Sequence, residues 1–549
     1  MSSSPVPKWQ QFTAHPERVL AVMLTLVAGY LHILVLLNAG ALWRDEVSTV
    51  NLATLPSFVE TWRMVMHHSN PILFPSLVRG WAALGFGRTD FELRILGFAI
   101  GLSVVAAVWL AGRLMHITWP VLSLALLATN LALVRWGDSL RPYGLGCVLL
   151  LLFVGLVWSF VNRPSRNRYL VAAIVGVLSA QSLSLIPFFL MATCGSGAVV
   201  CLRRKQRCEA LATLCIGLPA ALSLIPYASF SSETQSWVAI LQHGFHPLAV
   251  WFSLFHALDL SAGGMYLVWL ALFLLAAAVG GATLATEELA ASADVCDRPL
   301  FAGLNLILGA VGIFVFHWIA KHEVYPWHWL PFMVFAAINM EAALTQWAQR
   351  FRTAWLILAC IVSLVPLPAT IRAAQCAHTN MDVLGAQVSK LAEPGDLIVV
   401  YPWESGISFA RYYTGSVEWV TLPPVNDLRF HRYDLVRQDL DTGASIKPVF
   451  DRAEQVLASG HHVWMVGRLP DRRPLETELP VLPPPQAPNS QTEWYEGDYT
   501  YVWGRQMGDF LSKHAQNIWV PKMPAIHCLT GYEVVPILEI AGWRNPPSN

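Results

Sequence analysis

The sequence predicts a polytopic α-helical membrane protein that ends in a water-soluble α/β domain. Of its 549 residues, 55% are hydrophobic and only 13% are charged, whereas a soluble domain has about 25% charged residues. Nearly half of the charges follow Arg372, so the chain before this residue is more apolar than the average suggests. In that part, apolar runs near the ~20 residues needed to cross a bilayer recur. The last third instead alternates between helix and strand patterns.

About eleven apolar runs are predicted to span the membrane. They are Val19–Leu37, Ile95–Leu114, Ile117–Val134, Leu145–Val161, Tyr169–Leu178, Leu183–Leu202, Ala210–Ala228, Met265–Leu284, Leu300–Ile319, Trp327–Leu344 and Ala354–Ile371. The stretch from Tyr169 to Leu202 is too long for one comfortable span and short for two. Polar Gln181 and Ser182 lie at its centre, so the number of crossings there stays open.

Basic residues predict which side faces the cytoplasm, because short loops rich in Lys and Arg stay there. Three loops are basic, at Arg163–Arg168, Arg203–Arg207 and Arg350–Arg352. They fall on one side only if Tyr169–Leu202 crosses twice. This topology places the N-terminus inside and everything after Arg372 outside. The net charge of zero gives no argument for nucleic acid as a partner.

The first outer loop, residues 43–94, opens with Arg44, Asp45 and Glu46 directly after the first span. Ionisable groups at membrane depth cost ~2.5–3.5 kcal/mol on insertion scales and often mark function. One interpretation is an ordinary interfacial charge group that ends the helix, and the other is a catalytic carboxylate at the membrane surface. Two stretches of this loop, Ser57–Met66 and Ile72–Ala83, are amphipathic and would lie on the membrane.

Polar and aromatic residues from three outer loops converge on this face. They are His67, His68 and Asn70 in the first loop, Asp138, Arg141 and Tyr143 in the second, and Lys321, Tyr325 and His328 in a later one. Cations suit a phosphate at headgroup depth, and a carboxylate suits removal of a proton from a hydroxyl. Aromatic side chains suit stacking on a sugar or an aromatic belt at the interface.

These residues resemble a known superfamily. An Asp45-Glu46 pair at the outer end of a span, a His68-x-Asn70-Pro segment and an Arg141-Pro-Tyr143 loop are similar to the GT-C glycosyltransferases that use polyprenyl-phosphate sugars. Bacterial family 39, related to protein O-mannosyltransferases and the lipid A aminoarabinose transferase, is the branch this chain resembles most. The resemblance extends over essentially the whole chain. It implies a GT-C fold in the bacterial cytoplasmic (inner) membrane.

The resemblance also implies roles for the residues in transfer of a sugar, with inversion, to a glycan, lipid or protein acceptor. Asp45 would be the catalytic carboxylate, supported by Glu46. The donor phosphate would contact Arg141, Lys321, His328, Tyr143 and Tyr325. The acceptor or sugar cavity would contain Arg44, His67, His68, Asn70 and Asp138. A divalent metal ion held by Asp45, Glu46 and His68 stays open, as do the sugar and the acceptor.

Two other functions compete with the enzyme: a transporter or lipid-sugar flippase, and a non-catalytic scaffold. Transporters often have internal repeats and charged or broken helices near the middle of the membrane. Here the charges gather at one face and no repeat is visible, which favours the enzyme. The Asp45-Glu46 pair argues against the scaffold.

The tail, residues 373–549, is predicted to be a small α/β layer domain outside the membrane. Helices are predicted at Asp382–Leu391, Ile407–Tyr413, Val449–Ala458 and Met507–Ala515, and strands at Leu397–Tyr401, Val417–Leu422, His462–Val466 and Glu533–Ile540. The proline-rich stretch Leu469–Asn489 predicts an extended loop. No catalytic group is evident in the tail. It is expected to roof the cavity, to help select the acceptor or to act as a structural cap.

Cysteines and histidines add two candidate features to the tail. Only Cys376 and Cys528 of the nine cysteines lie there, and two thiols in an oxidising compartment are candidates for a disulfide. His461 and His462 are adjacent, but no third ligand at metal-binding spacing accompanies them.

Overall fold

The computed structural model describes residues 15–242, 244–285, 293–442, 446–468, 470 and 494–544. Before the tail, the chain is helical. Its α-helices are Pro16–Asn38, Arg44–Ala53, Phe58–Met64, Leu73–Ala83, Asp90–Leu114, Val121–Ala128, Leu131–Gly137, Tyr143–Asn162, Arg166–Ala180, Ile186–Arg203, Arg207–Ile216, Leu218–Ser223, Ser231–Val238, Pro247–Asp259, Met265–Ala285, Ala293–Ala320, Leu330–Arg350, Arg352–Leu364 and Leu367–Ala374. Short 3-10 helices lie at Val65–His67, Ile225–Phe230, Ala239–Leu241 and Pro326–Trp329.

Eight helical segments of the described chain are long and apolar enough to cross a membrane. They are Pro16–Asn38, Asp90–Leu114, Tyr143–Asn162, Ile186–Arg203, Arg207–Phe230, Met265–Leu284, Asp297–Ala320 and Arg352–Ala374. Each of them coincides with a run predicted from the sequence. The predicted class, a polytopic helical membrane protein with a C-terminal α/β domain, is therefore confirmed.

The three remaining predicted spans are helical but do not meet the same length and hydropathy criteria. The run Ile117–Val134 is divided at Asn130, whose side-chain oxygen accepts a hydrogen bond from the Leu133 amide and caps a second short helix. Arg166–Ala180 has 15 residues, about 22 Å at 1.5 Å per residue, against a hydrocarbon core of about 30 Å. Leu330–Arg350 is buried against other helices from its first residue to Leu344.

The ambiguous stretch from Tyr169 to Leu202 forms two helices joined by a turn at Gln181. The side chain of this glutamine is bonded on both sides: it donates to the Ser223 carbonyl at 2.8 Å and accepts from the Tyr227 hydroxyl at 2.7 Å. Its backbone carbonyl accepts from the Leu73 amide at 3.1 Å. The polar centre of the stretch is thus a turn that anchors the amphipathic helix Leu73–Ala83 of the first outer loop.

The tail contains seven strands and five helices among its described residues. The strands are β1 (Ala377–Thr379), β2 (Leu397–Tyr401), β3 (Glu418–Thr421), β4 (His462–Gly467), β5 (Ala515–Trp519), β6 (Leu529–Glu533) and β7 (Ile537–Trp543). The helices are Met381–Leu391, Ser405–Tyr412, Tyr433–Asp441, Lys447–Ala458 and Glu496–His514. Five strands form a sheet in the order β3-β2-β4-β7-β5, parallel over β3, β2 and β4 and antiparallel over β4, β7 and β5.

Helices cover both faces of this sheet, as the alternation along β2 shows. Leu397, Val399 and Tyr401 join one hydrophobic cluster, while Ile398 and Val400 join a second cluster on the opposite face. Side chains of a strand alternate between faces, so a strand buried on both sides consists of a continuous apolar run. The predicted α/β layer is therefore a sheet between two helical layers.

The structure differs from the sequence-based prediction at the end of the tail. The predicted strand Glu533–Ile540 is divided into β6 and β7, because Pro536 has no amide hydrogen for a ladder. Asn380 instead pairs with both backbone groups of Val535, at 2.8 Å each. The helix Tyr433–Asp441 is not predicted by the sequence pattern. The predicted loop Leu469–Asn489 lies, apart from Pro470, outside the described residues.

A short parallel pair of β1 and β6 attaches the tail to the first span. The His378 amide donates to the Ala39 carbonyl at 2.9 Å, and the Ala377 amide donates to the Cys528 carbonyl at 3.0 Å. Cys376 and Cys528 form a disulfide, with their Cα atoms 4.6 Å apart. The two ends of the tail thus meet beside the C-terminal end of the first span.

A second attachment joins the tail to the start of the helix Asp90–Leu114. Arg411 Nη2 lies 2.6 Å from one carboxylate oxygen of Asp90, and the Tyr412 hydroxyl donates to the other at 2.5 Å. The same hydroxyl accepts from the Leu42 amide at 2.7 Å. Asp90 therefore connects the tail with both ends of the first outer loop.

Candidate active site

The helix Arg44–Ala53 starts six residues after the first span and has Asp45 and Glu46 in its first turn. Carboxylates are favourable there because the first backbone amides of a helix are unpaired and carry partial positive charge. Glu46 accepts a hydrogen bond from one of these amides, since the Trp43 amide donates to its Oε2 at 3.3 Å. Asp45 points elsewhere, so two adjacent acids occupy different environments.

Glu46 is fully buried and joins three segments of the membrane part. Arg94 Nη2 lies 3.1 Å from its Oε2, and the Leu140 amide donates to its Oε1 at 2.9 Å. Arg94 also donates to the carbonyls of Gly40 and Ala41. Breaking a buried ion pair by removing one partner costs about 3–5 kcal/mol, so Glu46 stabilises the framework in which Asp45 sits.

Asp45 remains accessible, with 17% of its side chain exposed, and its carboxylate is approached by one histidine and one arginine. His431 Nε2 of the tail lies 3.4 Å from Oδ1, and Arg44 Nε lies 3.8 Å from the same atom. Burial alone would raise the pKa of Asp45. The hydrogen bond from His431 and the charges of Arg141, His431 and Arg44 outweigh it and hold the pKa well below its usual value. Asp45 is therefore ionised at neutral pH.

Arg141 lies in the loop that follows the helix Leu131–Gly137, and its charge acts on the Asp45 carboxylate. It is buried, and its Nη1 donates to Thr49 Oγ1 at 3.1 Å and to the backbone oxygen of Asp45 at 3.4 Å. Its Nε has no hydrogen-bond partner among the described residues. The guanidinium also lies over the ring of Tyr143, 5.9 Å from the ring centroid. Nη1 of Arg141 is thus engaged by neighbouring groups, whereas its Nε–H can still donate a hydrogen bond to a ligand.

His68 is one of the groups that hold Arg141. Its Nδ1 faces the Asn70 carbonyl at 3.1 Å, and a carbonyl can only accept, so this nitrogen carries the hydrogen. Its Nε2 then accepts from Arg141 Nη1 at 3.1 Å. Burial and the charge of Arg141 lower the pKa of His68 to about 3. The imidazole is therefore neutral and orients Arg141, and Asn70 orients the imidazole through its backbone oxygen.

The loop before the helix Leu330–Arg350 provides aromatic and imidazole rings that lie near Trp43 and Tyr143. Trp327 lies 5.8 Å from Trp43 and stacks on Tyr325 at 4.7 Å. His328 lies 6.4 Å from Tyr143, between ring centroids. The Tyr325 amide approaches His328 Nδ1 at 3.2 Å, so Nε2 carries the hydrogen of the neutral ring. Burial and the charges of neighbouring groups, led by His322 and His317, lower the pKa of His328 well below its usual value.

Lys321 begins this loop directly after the span Asp297–Ala320. It adopts a positive φ of 52°, and its amide donates to the His317 carbonyl at 2.9 Å, as in a left-handed residue that ends a helix. Its side chain is half-buried, and no contact joins it to Asp45 or Arg141 among the described residues. Backbone geometry therefore places Lys321 at the C-terminal end of a span without bringing it into the cluster.

Two of the predicted residues face other partners. His67 stacks on Trp237 at 5.8 Å, and its Nδ1 lies 3.6 Å from Asp434 of the tail. Asp138 is buried, and its Oδ1 lies 2.7 Å from Nδ1 of His32 in the first span. The structure therefore brings together Arg44, Asp45, Glu46, His68, Asn70, Arg141 and Tyr143, and it places His67 and Asp138 at the edges of this group.

Metal binding by Asp45, Glu46 and His68 does not fit these contacts. Glu46 already accepts from Arg94, Leu140 and Trp43, and the free electron pair of His68 Nε2 faces the Arg141 guanidinium. In the part of the chain that the structure describes, no group of three His, Cys, Asp or Glu residues could hold a metal ion. The candidate set therefore does not form a metal centre as arranged here.

The tail provides acidic groups that sequence reasoning does not assign to the site. Glu533 Oε1 accepts from the Arg44 amide at 3.3 Å and from Ser408 at 2.7 Å, and burial raises the pKa of Glu533 to about 6. Burial and the charge of Glu404 raise the pKa of Glu496 to about 8. The charge of Glu404 also acts on Arg44. Of these carboxylates, Glu404 and Glu533 compensate the charge of Arg44.

His431 is the other contribution of the tail that sequence reasoning misses. It lies between β3 and the helix Tyr433–Asp441, in a segment with no pattern that relates it to the membrane part. A lone histidine in a polar loop gives no signal for function. The only sequence signal is local: Arg429, His431 and Arg432 concentrate positive charge near Asp427 and Asp434.

Comparison with known structures shows likeness at low sequence identity. The chain is similar to the oligosaccharyltransferase of Archaeoglobus fulgidus in complex with zinc and sulfate, at 12% identity and a TM-score of 0.47 over 81% of this chain and 67% of that one. It is also similar to ArnT from Cupriavidus metallidurans bound to undecaprenyl phosphate, at 14% identity and a TM-score of 0.45 over 82% of this chain and 92% of that one. No protein-family model matches the sequence, and neither does any curated protein. No residue role follows from likenesses at this level.

Proposed function

We propose that this chain is a membrane glycosyltransferase of the GT-C type that moves a monosaccharide from a polyprenyl-phosphate donor to an acceptor hydroxyl. The observation that supports the proposal is the proximity of Asp45 and Arg141: Arg141 Nη1 contacts the backbone oxygen of Asp45, and the charge of Arg141 acts on the Asp45 carboxylate. An ionised, accessible carboxylate belongs to a residue whose backbone oxygen contacts the Arg141 guanidinium, and Nε of this guanidinium has no hydrogen-bond partner among the described residues. Displacement of a phosphate from a sugar needs both groups: a base for the attacking hydroxyl and positive charge at the departing phosphate.

Asp45 is the base in this mechanism. It takes the hydroxyl proton while the hydroxyl oxygen attacks the anomeric carbon from the side opposite the phosphate, which inverts the configuration. Arg141 receives the phosphate as its bond to the sugar breaks, because a guanidinium forms two parallel hydrogen bonds to a phosphate. His68 and Thr49 fix Arg141 in advance, so little reorganisation is needed.

The remaining residues take supporting roles. His328 offers its Nε2 hydrogen to a phosphate oxygen, Lys321 adds charge at the outer end of its span, and Tyr143 and Tyr325 flank the phosphate. Glu46 maintains the framework through Arg94. Arg44 and the adjoining tail residues border the acceptor, which is a glycan, lipid or protein. Residues 1–372 form the transferase module in this proposal, and residues 373–549 form a domain that covers it.

The proposed location is the outer face of the bacterial cytoplasmic membrane. The disulfide between Cys376 and Cys528 supports an oxidising compartment for the tail. The basic loops at Arg163–Arg168 and Arg203–Arg207 support a cytoplasmic position for the opposite ends of the spans. A lipid donor then reaches Arg141 at headgroup depth.

Release of polyprenyl phosphate from synthetic polyprenyl-phosphate sugars tests this function. The purified protein in detergent is compared with Asp45→Asn, and Asp451→Asn is the matched control because Asp451 is exposed in the tail. General base catalysis contributes about 10²–10⁴-fold, so Asp45→Asn is expected to lose at least about 100-fold in kcat while the control keeps its rate.

Full activity of a folded Asp45→Asn protein would exclude Asp45 as the base. Donor binding without release, together with donor movement across liposomes, would instead indicate the transporter or flippase.

A further inference from the structure

Among the described residues of the tail, His431 contacts the carboxylate of the candidate base through its imidazole. His431 Nε2 lies 3.4 Å from Asp45 Oδ1, and both side chains are 17% exposed. The nearest approaches of His431 and Arg44 to the Asp45 carboxylate are both to Oδ1, and no hydrogen bond among the described residues is made to Oδ2. One oxygen is thus held and the other is left for a ligand.

The loop that contains His431 is attached to the same helix as Asp45. Phe430 is buried against Leu52 and Leu55, and the carbonyl of Arg429 accepts from Asn51 Nδ2 at 3.0 Å. Leu52 follows Asp45 by seven residues, close to two turns of about 3.6 residues each, so the two lie on one face of the helix. Arg429 and Phe430 therefore contact the last turn of this helix and His431 contacts the first, which sets the position of His431 relative to Asp45.

Two aromatic rings pack against the imidazole of His431 and restrict its orientation. Tyr433 stacks on His431 with ring centroids 6.0 Å apart and an angle of 17° between planes. Trp403 is fully buried and meets His431 edge-on at 6.4 Å and Tyr433 edge-on at 5.3 Å. Packing on these rings leaves the imidazole few alternative orientations, so it presents Nε2 to the carboxylate.

We propose that His431 is a positioning residue, supplied by the tail, that holds Asp45 Oδ1 so that Oδ2 faces the acceptor hydroxyl. This inference rests on the proposed function. In the step it serves, the hydroxyl proton passes to Oδ2 and the oxygen–carbon bond to the sugar forms. The bond from the sugar to the phosphate breaks, and its electron pair leaves on the phosphate oxygen. The tail then completes the catalytic site as well as covering it.

Variants of His431 separate positioning from a structural role. His431→Phe keeps the ring and its stacking but has no donor, and His431→Gln places an amide N–H near the position of Nε2. Misplacement of a reacting group by about 1 Å can cost about 100-fold. We expect His431→Phe to lower kcat by about this factor with an unchanged KM for the donor, and His431→Gln to recover most of the rate. His461→Phe is the control, because His461 is an exposed histidine of the same tail.

A double-mutant comparison with Asp45→Asn shows whether His431 acts through Asp45. Adding His431→Phe to Asp45→Asn is expected to cause no further loss. Should His431→Phe fail to fold, His431→Asn replaces it, since its amide is one methylene shorter than that of His431→Gln and does not reach Oδ1. A wild-type rate in folded His431→Phe or His431→Asn would overturn the proposal, as would equal losses in the Gln and Asn variants. Wild-type release that depends on Asp45 is measured in the same assay, so failure of the proposed function is recognised separately.

Discussion

Asp45 and Glu46 are neighbours in sequence but differ in burial and in the groups that contact their carboxylates. Successive residues of a helix are rotated by about 100°, so one acid faces the loops that meet at Leu140 and the other faces the mouth of the site. Glu46 is enclosed by Arg94 and backbone amides, whereas Asp45 keeps an oxygen without a partner in the described structure. One helical turn thus provides both a buried support and an accessible carboxylate, the base of the proposed mechanism.

The low pKa of Asp45 predicts a dependence of the pH profile on the donor. A base must be ionised, so the rate falls as the pH drops through its pKa. In the free enzyme, the charge of Arg141 helps to hold this pKa well below its usual value. A bound donor phosphate compensates Arg141, so the pKa of Asp45 rises in the complex. We expect the acid limb of kcat, which reports the complex, to lie at higher pH than the acid limb of kcat/KM, which reports the free enzyme.

Arg141→Gln is the control for this prediction, since it removes the charge that the donor compensates. In that variant, the pKa of Asp45 in the free enzyme should rise, so the acid limb of kcat/KM should move to higher pH than in the wild-type protein, at a lower rate. Coincident limbs of kcat and kcat/KM in the wild-type protein would show that the donor phosphate does not act on Asp45.

Candidate residues could be predicted from the sequence where their immediate sequence neighbours identify them. A carboxylate pair directly after a long apolar run is visible without a structure, and so is Arg141 in a short polar loop. Asp138 has the same local appearance, but its partner His32 lies inside the first span. His431 could not be found, because its importance comes only from the docking of the tail and its neighbours resemble an ordinary solvated loop.

At the scale of elements, the site depends on how the tail docks. Asp90 starts a membrane span and receives Arg411 and Tyr412 from one tail helix, Ser405–Tyr412. The same helix packs against the helix Arg44–Ala53, where Ile407 joins a cluster with Val47 and Val50. Docking therefore brings the tail, and His431 with it, onto the helix that contains Asp45.

Arg411→Gln is expected to loosen this docking. Hydrogen bonds to charged groups contribute about 1.5–3 kcal/mol each, and Asp90 would keep only its bonds to Tyr412 and to the Leu42 amide. Faster hydrogen exchange in the helix Ser405–Tyr412 should report the change, together with a lower rate of transfer. Arg452→Gln is the control, because Arg452 pairs with exposed Glu418 and such pairs contribute little. Unchanged exchange in Arg411→Gln would show that other contacts hold the tail in place.

Elements with strong periodicity were predictable, and those set by single side chains were not. Strand β2 coincides with its prediction because five consecutive apolar residues can only be buried on both faces. The helix Tyr433–Asp441 was missed because few of its residues are apolar, with Val436 and Leu440 buried. The division between β6 and β7 depends on Pro536 and on the two hydrogen bonds of Asn380, which no pattern of hydropathy contains.

For the whole molecule, the proposed topology makes a prediction about thiol labelling. Cys208 is exposed and lies beside the basic loop Arg203–Arg207, so it should face the cytoplasm. A membrane-impermeant maleimide added to right-side-out vesicles should label it only after the membrane is opened. A cysteine introduced at exposed Ser459 of the tail should be labelled in intact vesicles. The reverse pattern would invert the topology and place the candidate site in the cytoplasm.

The disulfide has a consequence for how the tail responds to damage. Cys376 and Cys528 are separated by 152 positions in sequence, and the chain between them includes His431, Glu404 and Glu496. This stretch is a covalently closed ring attached to the last span at one point. A proteolytic cut within the ring leaves both fragments tethered to the membrane part, whereas a cut followed by reduction frees the portion on the C-terminal side of the cut. Nicked protein should therefore retain its cover over Asp45 until a reductant is present.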